Sequence, residues 1–142
     1  MIKLTNAQMG SLSECIHARN HARLARCVVD LFPEAAAQLG HGAIAGSALD
    51  DWLRKALALG QRYGIDEPAD QAVFLALAAA TVEIAPTRPG FLGFSRPVLE
   101  RSTTPGPVKL AWIEQRLATL AEDDTVAAKM LEQVRAARTQ FQ

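Results

Sequence analysis

Residues 65–83 read IDEPADQAVFLALAAATVE, and this stretch decides the fold. Asp66 is a favourable N-cap, and Glu67 and Pro68 suit the first turn of a helix, where acidic residues and proline are preferred. Over residues 72–82 almost every side chain is apolar, so the predicted helix has no polar face. A helix that is apolar all round is buried, and we therefore predict that it lies at the centre of a helical bundle.

The chain before this stretch predicts two long helices and a short helical turn. Apolar residues at helical spacing follow Thr5, a favourable N-cap, and the first helix ends just before Pro33, which disfavours helical geometry in the preceding residue. Residues 33–39 then fit a short helical turn. A second long helix covers roughly residues 43–63, and Gly64 is a favourable C-cap for it.

A proline-rich segment follows the apolar helix. Five of the seven prolines lie in residues 86–107, so this segment cannot form one long helix. Because Phe91, Leu92 and Phe94 are too apolar for a solvated linker, we predict an ordered loop with one helical turn at residues 97–101. If the loop is free instead, Phe91 and Phe94 become candidate anchors for a partner protein.

Two helices are predicted after the loop. One begins at Thr104 and Pro105, with Thr104 as its cap, and the last is capped by Asp123 or Asp124. With the three long helices upstream, the sequence predicts an all-α fold, a compact single-domain bundle of about five principal helices over residues 1–142. The 26 alanines and an aromatic content of only 6% also favour helix over sheet.

Charge and composition exclude several classes of protein. The chain has 15 basic and 15 acidic residues, and this neutral balance argues against a protein that mainly binds nucleic acid or an acidic membrane. The N-terminus shows no apolar segment typical of a secretory signal. Residues 72–80, the most apolar stretch, are too short to span a membrane. We therefore expect a cytoplasmic protein without a membrane partner.

Neither the cysteines nor the serines form a catalytic signature. No GxSxG motif is present, and neither Cys15 nor Cys27 lies in a known nucleophile motif, so we predict that the protein is not an enzyme. If both cysteines lie on one helix, about 18 Å of helix axis separates them, which is too far for a disulfide. The simplest interpretation is that both are small apolar core residues.

His17 and His21 are four residues apart and share a helix face, which is a spacing typical of metal ligands. The glutamate of an HExxH motif is missing, and Arg19 and Arg23 flank the pair and would repel a cation. We therefore predict no metal site and no cofactor, and interpret both histidines as helix surface residues.

The first helix carries the candidate partner-binding residues. Arg19, Arg23 and Arg26 form a basic stripe, which is either a solvated or internally paired face or a site for phosphate or an acidic partner. Asn20 interrupts the apolar positions, so its amide should face inward or line a groove. We expect Glu83 to form a salt bridge with an arginine such as Arg19 or Arg23. We also expect a polar groove beside these two arginines, closed by Glu83 or another acid. It is either an internal network that fixes helix packing or a docking site.

Several short motifs indicate a resemblance to a known group of proteins. They are LTxxQM at residues 4–9, LFP at 31–33, a YGI turn at 63–65, the proline-bounded Phe loop and KLxxI at 109–113. In this the chain resembles small helical bacterial proteins encoded beside type VI secretion effectors, often near VgrG, PAAR or lysozyme-like genes. The resemblance covers most of the chain and transfers no catalytic residues.

What the resemblance implies is accessory work in a secretion system. The expected function is a non-catalytic protein-interaction module, acting as an effector-associated chaperone or adaptor, or as an immunity protein. The expected partner is another protein, such as a secreted effector encoded nearby. The alternative is a DNA-binding or regulatory helical domain that uses the stripe of Arg19, Arg23 and Arg26, although the neutral charge makes nucleic acid the less favoured partner.

Overall fold

The computed structural model describes residues 6–39 and 48–141, with side chains described from residue 19 onward within these ranges, except that of residue 39. These residues form seven α-helices and no strand, so the predicted all-α class is confirmed for the described chain. The helices are α1 (Asn6–Leu31), α2 (Pro33–Leu39), α3 (Ala48–Arg62), α4 (Pro68–Ile84), α5 (Ser95–Leu99), α6 (Gly106–Ala121) and α7 (Thr125–Thr139). The predicted cap Thr5 and residues 43–47 of the predicted second helix lie outside the described residues.

Helix α4 lies at the centre of the fold, as its sequence predicts. It contacts α1, α2, α3, α6 and α7, and nine of its side chains are buried. Each large apolar side chain that is fully buried stabilises the fold by about 1.5–3 kcal/mol. The largest such side chains are Phe32, Leu24, Leu49, Leu53, Ile65, Leu75, Leu110, Ile113, Leu117, Val28, Val73 and Val134.

The start of α4 differs from the prediction by one residue. Glu67, and not Asp66, is the N-cap, and no side-chain hydrogen bond caps the helix. Pro68 occupies the first helical position and forces extended geometry on the residue before it, so Glu67 has φ −73° and ψ 139°. The proline therefore sets the helix start in place of the aspartate.

The turn between α3 and α4 is closed by a Schellman motif. Gly64 has φ +83°, a left-handed conformation that favours glycine, and its N–H donates to the Gln61 carbonyl at 3.0 Å. The N–H of Ile65 donates to the Gly60 carbonyl at 2.9 Å, and the Ile65 side chain is fully buried. The predicted C-cap role of Gly64 is confirmed.

Helix α6 begins in direct contact with this turn. A Cβ atom placed on Gly106 would lie 2.2 Å from the Gly64 carbonyl oxygen, so only glycine fits at this position. Pro105 is the N-cap, with extended ψ of 144°, so the predicted cap at Thr104 is wrong. The close approach of two backbones fixes where α6 joins the bundle.

Lys109 is buried in α6 and joins the ends of two other helices. Lys109 is only 3% exposed. Its Nζ donates to the Tyr63 carbonyl at 3.0 Å and to the Leu99 carbonyl at 2.8 Å. Both carbonyls lie at helix C-termini, where no backbone donor of the same helix is available. The ammonium group thus links α6 to the ends of α3 and α5.

Cys27 is a free, buried residue of α1, as predicted. Burial, with a smaller contribution from the charge of Asp30, raises the pKa of its thiol to about 11. Cys15 lies in the same helix, so the two residues are twelve positions apart along one axis, beyond disulfide reach. The side chain of Cys15 is outside the described part.

The segment after α4 consists of turns and the short helix α5. Helix α5 covers Ser95–Leu99, so the predicted turn at residues 97–101 starts and ends two residues too late. Leu92 is buried in the core, and Phe91 and Phe94 pack against it while half-buried. Asp124 caps α7, which excludes the alternative cap Asp123. None of the described helices is both long and apolar enough to cross a membrane.

Candidate partner-binding surfaces

The basic stripe of α1 is exposed but not uniform. Arg19, Arg23 and Arg26 all have exposed side chains. The guanidinium of Arg23 donates to the Gln140 carbonyl at 3.0 Å and stacks over the Phe141 ring at 4.5 Å. Arg23 therefore holds the end of α7 against α1, and Arg19 and Arg26 form no ion pair with any residue that the structure describes.

Asn20 is half-buried and borders a groove of about 430 Å³, as expected from its position. The groove lies between α1, α3 and the start of α4. Its acid is Asp66, and Arg19, Arg23 and Glu83 do not line it. The lining residues are Asn20, His21, Leu24, Leu57, Gln61, Asp66, Pro68 and Gln71.

The predicted pairing of Glu83 with Arg19 or Arg23 is wrong. Oε1 of Glu83 accepts from the Ala35 backbone N–H at 3.2 Å, at the start of α2. The end of α4 packs against α2, which places Glu83 beside an unsatisfied backbone donor and away from the middle of α1. Within the described residues Glu83 forms no ion pair.

His21 contributes to the packing of α1 against α3. Its Nε2 lies 2.5 Å from Oδ1 of Asp50, whose side chain is 7% exposed, and Arg54 Nε lies 3.0 Å from the other carboxylate oxygen. This arrangement ties α1 to α3. The side chain of His17 is outside the described residues, among which no group of three or more His, Cys, Asp or Glu could hold a metal ion.

Arg88 connects the turns after α4 to the start of α7. Its guanidinium forms a two-point ion pair with Asp124, at 2.9 and 2.7 Å, and lies 4.4 Å above the Phe91 ring. Asp124 also accepts from the backbone N–H of Val126 at 2.9 Å. The hydrogen bonds from Arg88 and, less strongly, from the backbone lower the pKa of Asp124.

The two phenylalanines are therefore partly covered. Phe91 lies under Arg88 and lines a cavity of about 230 Å³ with Leu92. Phe94 is half-buried against the core. Both rings retain exposed area, but neither is presented to solvent as an isolated anchor.

A cleft of about 410 Å³ lies between α2, the end of α4 and α7. Its rim carries Glu34, Glu83 and Lys129, and the amide of Gln133 donates to the Leu31 carbonyl at 2.8 Å. The rim therefore carries both acidic and basic side chains. One of its acids, Glu83, already accepts a hydrogen bond from the Ala35 backbone N–H in α2.

The outer face of α6 carries Trp112, the most exposed aromatic side chain among the described residues. Trp112 is 42% exposed, and Val108, one turn earlier, is 38% exposed. The guanidinium of Arg101 lies 5.4 Å from the centre of the Trp112 ring. Arg116 and Trp112 share a shallow depression with Gln115 and Thr119. We call Arg101, Val108, Trp112 and Arg116 the α6 face.

None of the residues of the α6 face was among the predicted partner-binding residues. A signal was present, because Trp112 falls outside the helical positions of Leu110, Ile113 and Leu117, which are all fully buried. A tryptophan on the polar side of an amphipathic helix is a candidate contact residue. The contact with Arg101, however, depends on how the chain enters α6.

Comparison with known protein families, curated proteins and solved structures finds no match to this chain.

Proposed function

We propose that this chain is a non-catalytic protein-interaction module that binds another protein through the α6 face. In the resemblance stated above, the partner is a secreted effector encoded nearby, and the module acts as its chaperone, adaptor or immunity protein in the cytoplasm. The observation that supports binding is the exposed Trp112 beneath Arg101.

The composition of the α6 face supports this proposal. Tryptophan and arginine are the residues most enriched among those that dominate binding energy at protein interfaces, whereas monomeric surfaces rarely expose large apolar groups together. Val108 and Trp112 are one helical turn apart and so form a continuous apolar strip. The guanidinium of Arg101 lies over the Trp112 ring, which reduces the side-chain entropy that binding must remove.

We also propose that the five helices of 15 or more residues form the principal bundle and that residues 86–107 are an ordered part of it. Buried Leu92 and the contacts of Arg88 with Phe91 and Asp124 support an ordered segment. Phe91→Ala should then lower the free energy of unfolding by about 1–3 kcal/mol, less than a fully buried ring because Phe91 is half-exposed. Chemical denaturation measures this, and a loss below about 0.5 kcal/mol would indicate a free loop.

Co-purification with the product of the neighbouring gene tests the function. Trp112→Ala should reduce recovery of the partner and weaken binding by about 30-fold or more, the range of a dominant interface residue. Leu59→Ala is the matched control, because Leu59 is similarly exposed, at 40%, but belongs to α3. Equal binding by both variants, with unchanged thermal stability, would contradict the role of the α6 face.

A further inference from the structure

We infer that the α6 face binds an acidic segment of its protein partner, one that places an apolar side chain on Trp112 and carboxylates beside it. This inference rests on the proposed function and adds the chemistry of the partner. It depends on the charges of the face and on what burial of those charges requires.

The cations of the α6 face are uncompensated within the described residues. Arg101 and Arg116 form no ion pair with any side chain that the structure describes. Four other arginines of the same chain do have carboxylate partners. These pairs are Arg54 with Asp50, Arg88 with Asp124, Arg96 with Glu100 and Arg138 with Glu114.

The exposed side of α6 also contains no acid over residues 108–119. Its exposed residues there are Val108, Ala111, Trp112, Gln115, Arg116 and Thr119. Glu114, the acid of this segment, is half-buried and pairs with Arg138 of α7 at 2.8 Å. The acid of α6 is thus used inside the bundle, and the outer side is basic and apolar.

A partner that covers Trp112 on the side of Arg101 also removes water from Arg101. The guanidinium lies over the ring, 5.4 Å from its centre, so contact with the ring on this side buries part of the cation. A charge that loses water without gaining an opposite charge or hydrogen bonds opposes binding. Since no described residue of this chain supplies a carboxylate to Arg101 or Arg116, we expect the partner to supply one, and arginine binds carboxylates with two parallel hydrogen bonds.

The spacing of the α6 face suits a short segment with acids on both sides of an apolar residue. Arg116 lies one helical turn beyond Trp112, and Arg101 lies in the chain that precedes α6. Phosphate groups of nucleic acid would offer negative charge as well. The neutral net charge of the chain and the continuous apolar strip of Val108 and Trp112 favour a protein segment over a polyanion.

Selection from a random short-peptide library tests this inference without knowledge of the natural partner. The intact protein is the bait, and peptides that also bind the Trp112→Ala variant are discarded. We expect the remaining peptides to be enriched in Asp and Glu around a Leu, Phe or Trp. Their affinity should fall about tenfold or more in an Arg101→Gln, Arg116→Gln double variant and at raised salt.

Arg135→Gln is the control, since Arg135 is exposed on α7 and has no ion pair among the described residues. It should bind the selected peptides as the wild type does, and thermal unfolding should show that all variants fold. Selected peptides that are neutral or basic, or whose affinity is unchanged in the double variant, would overturn the acidic partner and leave the proposed function standing. The absence of any Trp112-dependent peptide would contradict both. Stronger Trp112-dependent binding of a labelled single-stranded oligonucleotide would also overturn the inference.

Discussion

Replacement of Lys109 by methionine tests whether a buried ammonium group holds three helices together. Methionine keeps the length of the aliphatic chain, so no large cavity forms, but it cannot donate to the carbonyls of Tyr63 and Leu99. Both carbonyls then lose their donor at the ends of α3 and α5. No acidic partner of Lys109 remains behind, since the contacts that the structure describes are to carbonyl oxygens and to the Tyr63 ring.

The magnitude follows from two lost hydrogen bonds to a charged donor. Each contributes about 1.5–3 kcal/mol, which gives an upper figure of about 3–6 kcal/mol. Two effects reduce it. Removing the ammonium group also removes its desolvation cost, and Tyr63 and Leu99 are half-exposed, so water can bond their carbonyls in part. We expect a loss of about 2–4 kcal/mol in the free energy of unfolding.

Urea denaturation followed by circular dichroism measures this loss. With a slope of about 1.5 kcal/mol per molar urea, the midpoint should fall by about 1–3 M. Lys55→Met is the matched control, because Lys55 is exposed on α3 and should change stability by less than about 0.5 kcal/mol. If Lys109→Met costs no more than Lys55→Met, the ammonium does not join the helix ends and the reasoning is refuted.

Three further predictions concern single residues. Gly106→Ala should lower the free energy of unfolding by about 3 kcal/mol or more, because the added Cβ meets the backbone of the α3–α4 turn. Gly90→Ala is the control and should cost about 1–2 kcal/mol, because Gly90 has a positive φ but free space around it. Similar losses for both variants in chemical denaturation would argue against the contact of Gly106. Because the pKa of Asp124 in the folded state lies below its ordinary value of 3.8, the charged carboxylate stabilises the folded state above pH 3.8. This contribution is lost as the pH falls through the folded-state pKa. The thermal stability difference between wild type and Asp124→Asn should therefore shrink in acid, and a constant difference would contradict the charge pairing. In a Cys15→Ser background, iodoacetamide should modify Cys27 slowly at pH 8 unless urea is added. The reason is that a pKa of about 11 leaves only about one thiol in a thousand as thiolate at this pH. Rapid labelling of the folded protein would contradict the burial of this thiol.

The candidate site was only partly accessible from the sequence. Asn20 was expected to line a groove because it interrupts apolar positions, and it does so. Which acidic residue lines that groove was not predictable. Asp66 precedes α4 and Glu83 lies near its C-terminal end, and the sequence does not show which end of α4 lies beside the groove. The stripe that includes Arg23 was predicted to be a solvated or internally paired face or a partner site. Arg23 is exposed but bonds the Gln140 carbonyl, 117 positions away, and lies over the Phe141 ring, a contact that local sequence does not reveal.

Local sequence determined the helical class, the burial of α4 and the left-handed turn at Gly64, because apolar periodicity and backbone preference act over a few neighbouring residues. Tertiary structure alone decided which polar groups meet. Lys109 reaches the Tyr63 carbonyl across 46 positions and Arg88 reaches Asp124 across 36. Such contacts depend on how helices cross and where each connection ends, so the same lysine or arginine would be a surface residue in another arrangement of the same helices. For Trp112, both levels contribute. Its position in the helix pattern of α6 places it away from the core, but only the tertiary structure brings Arg101 over its ring.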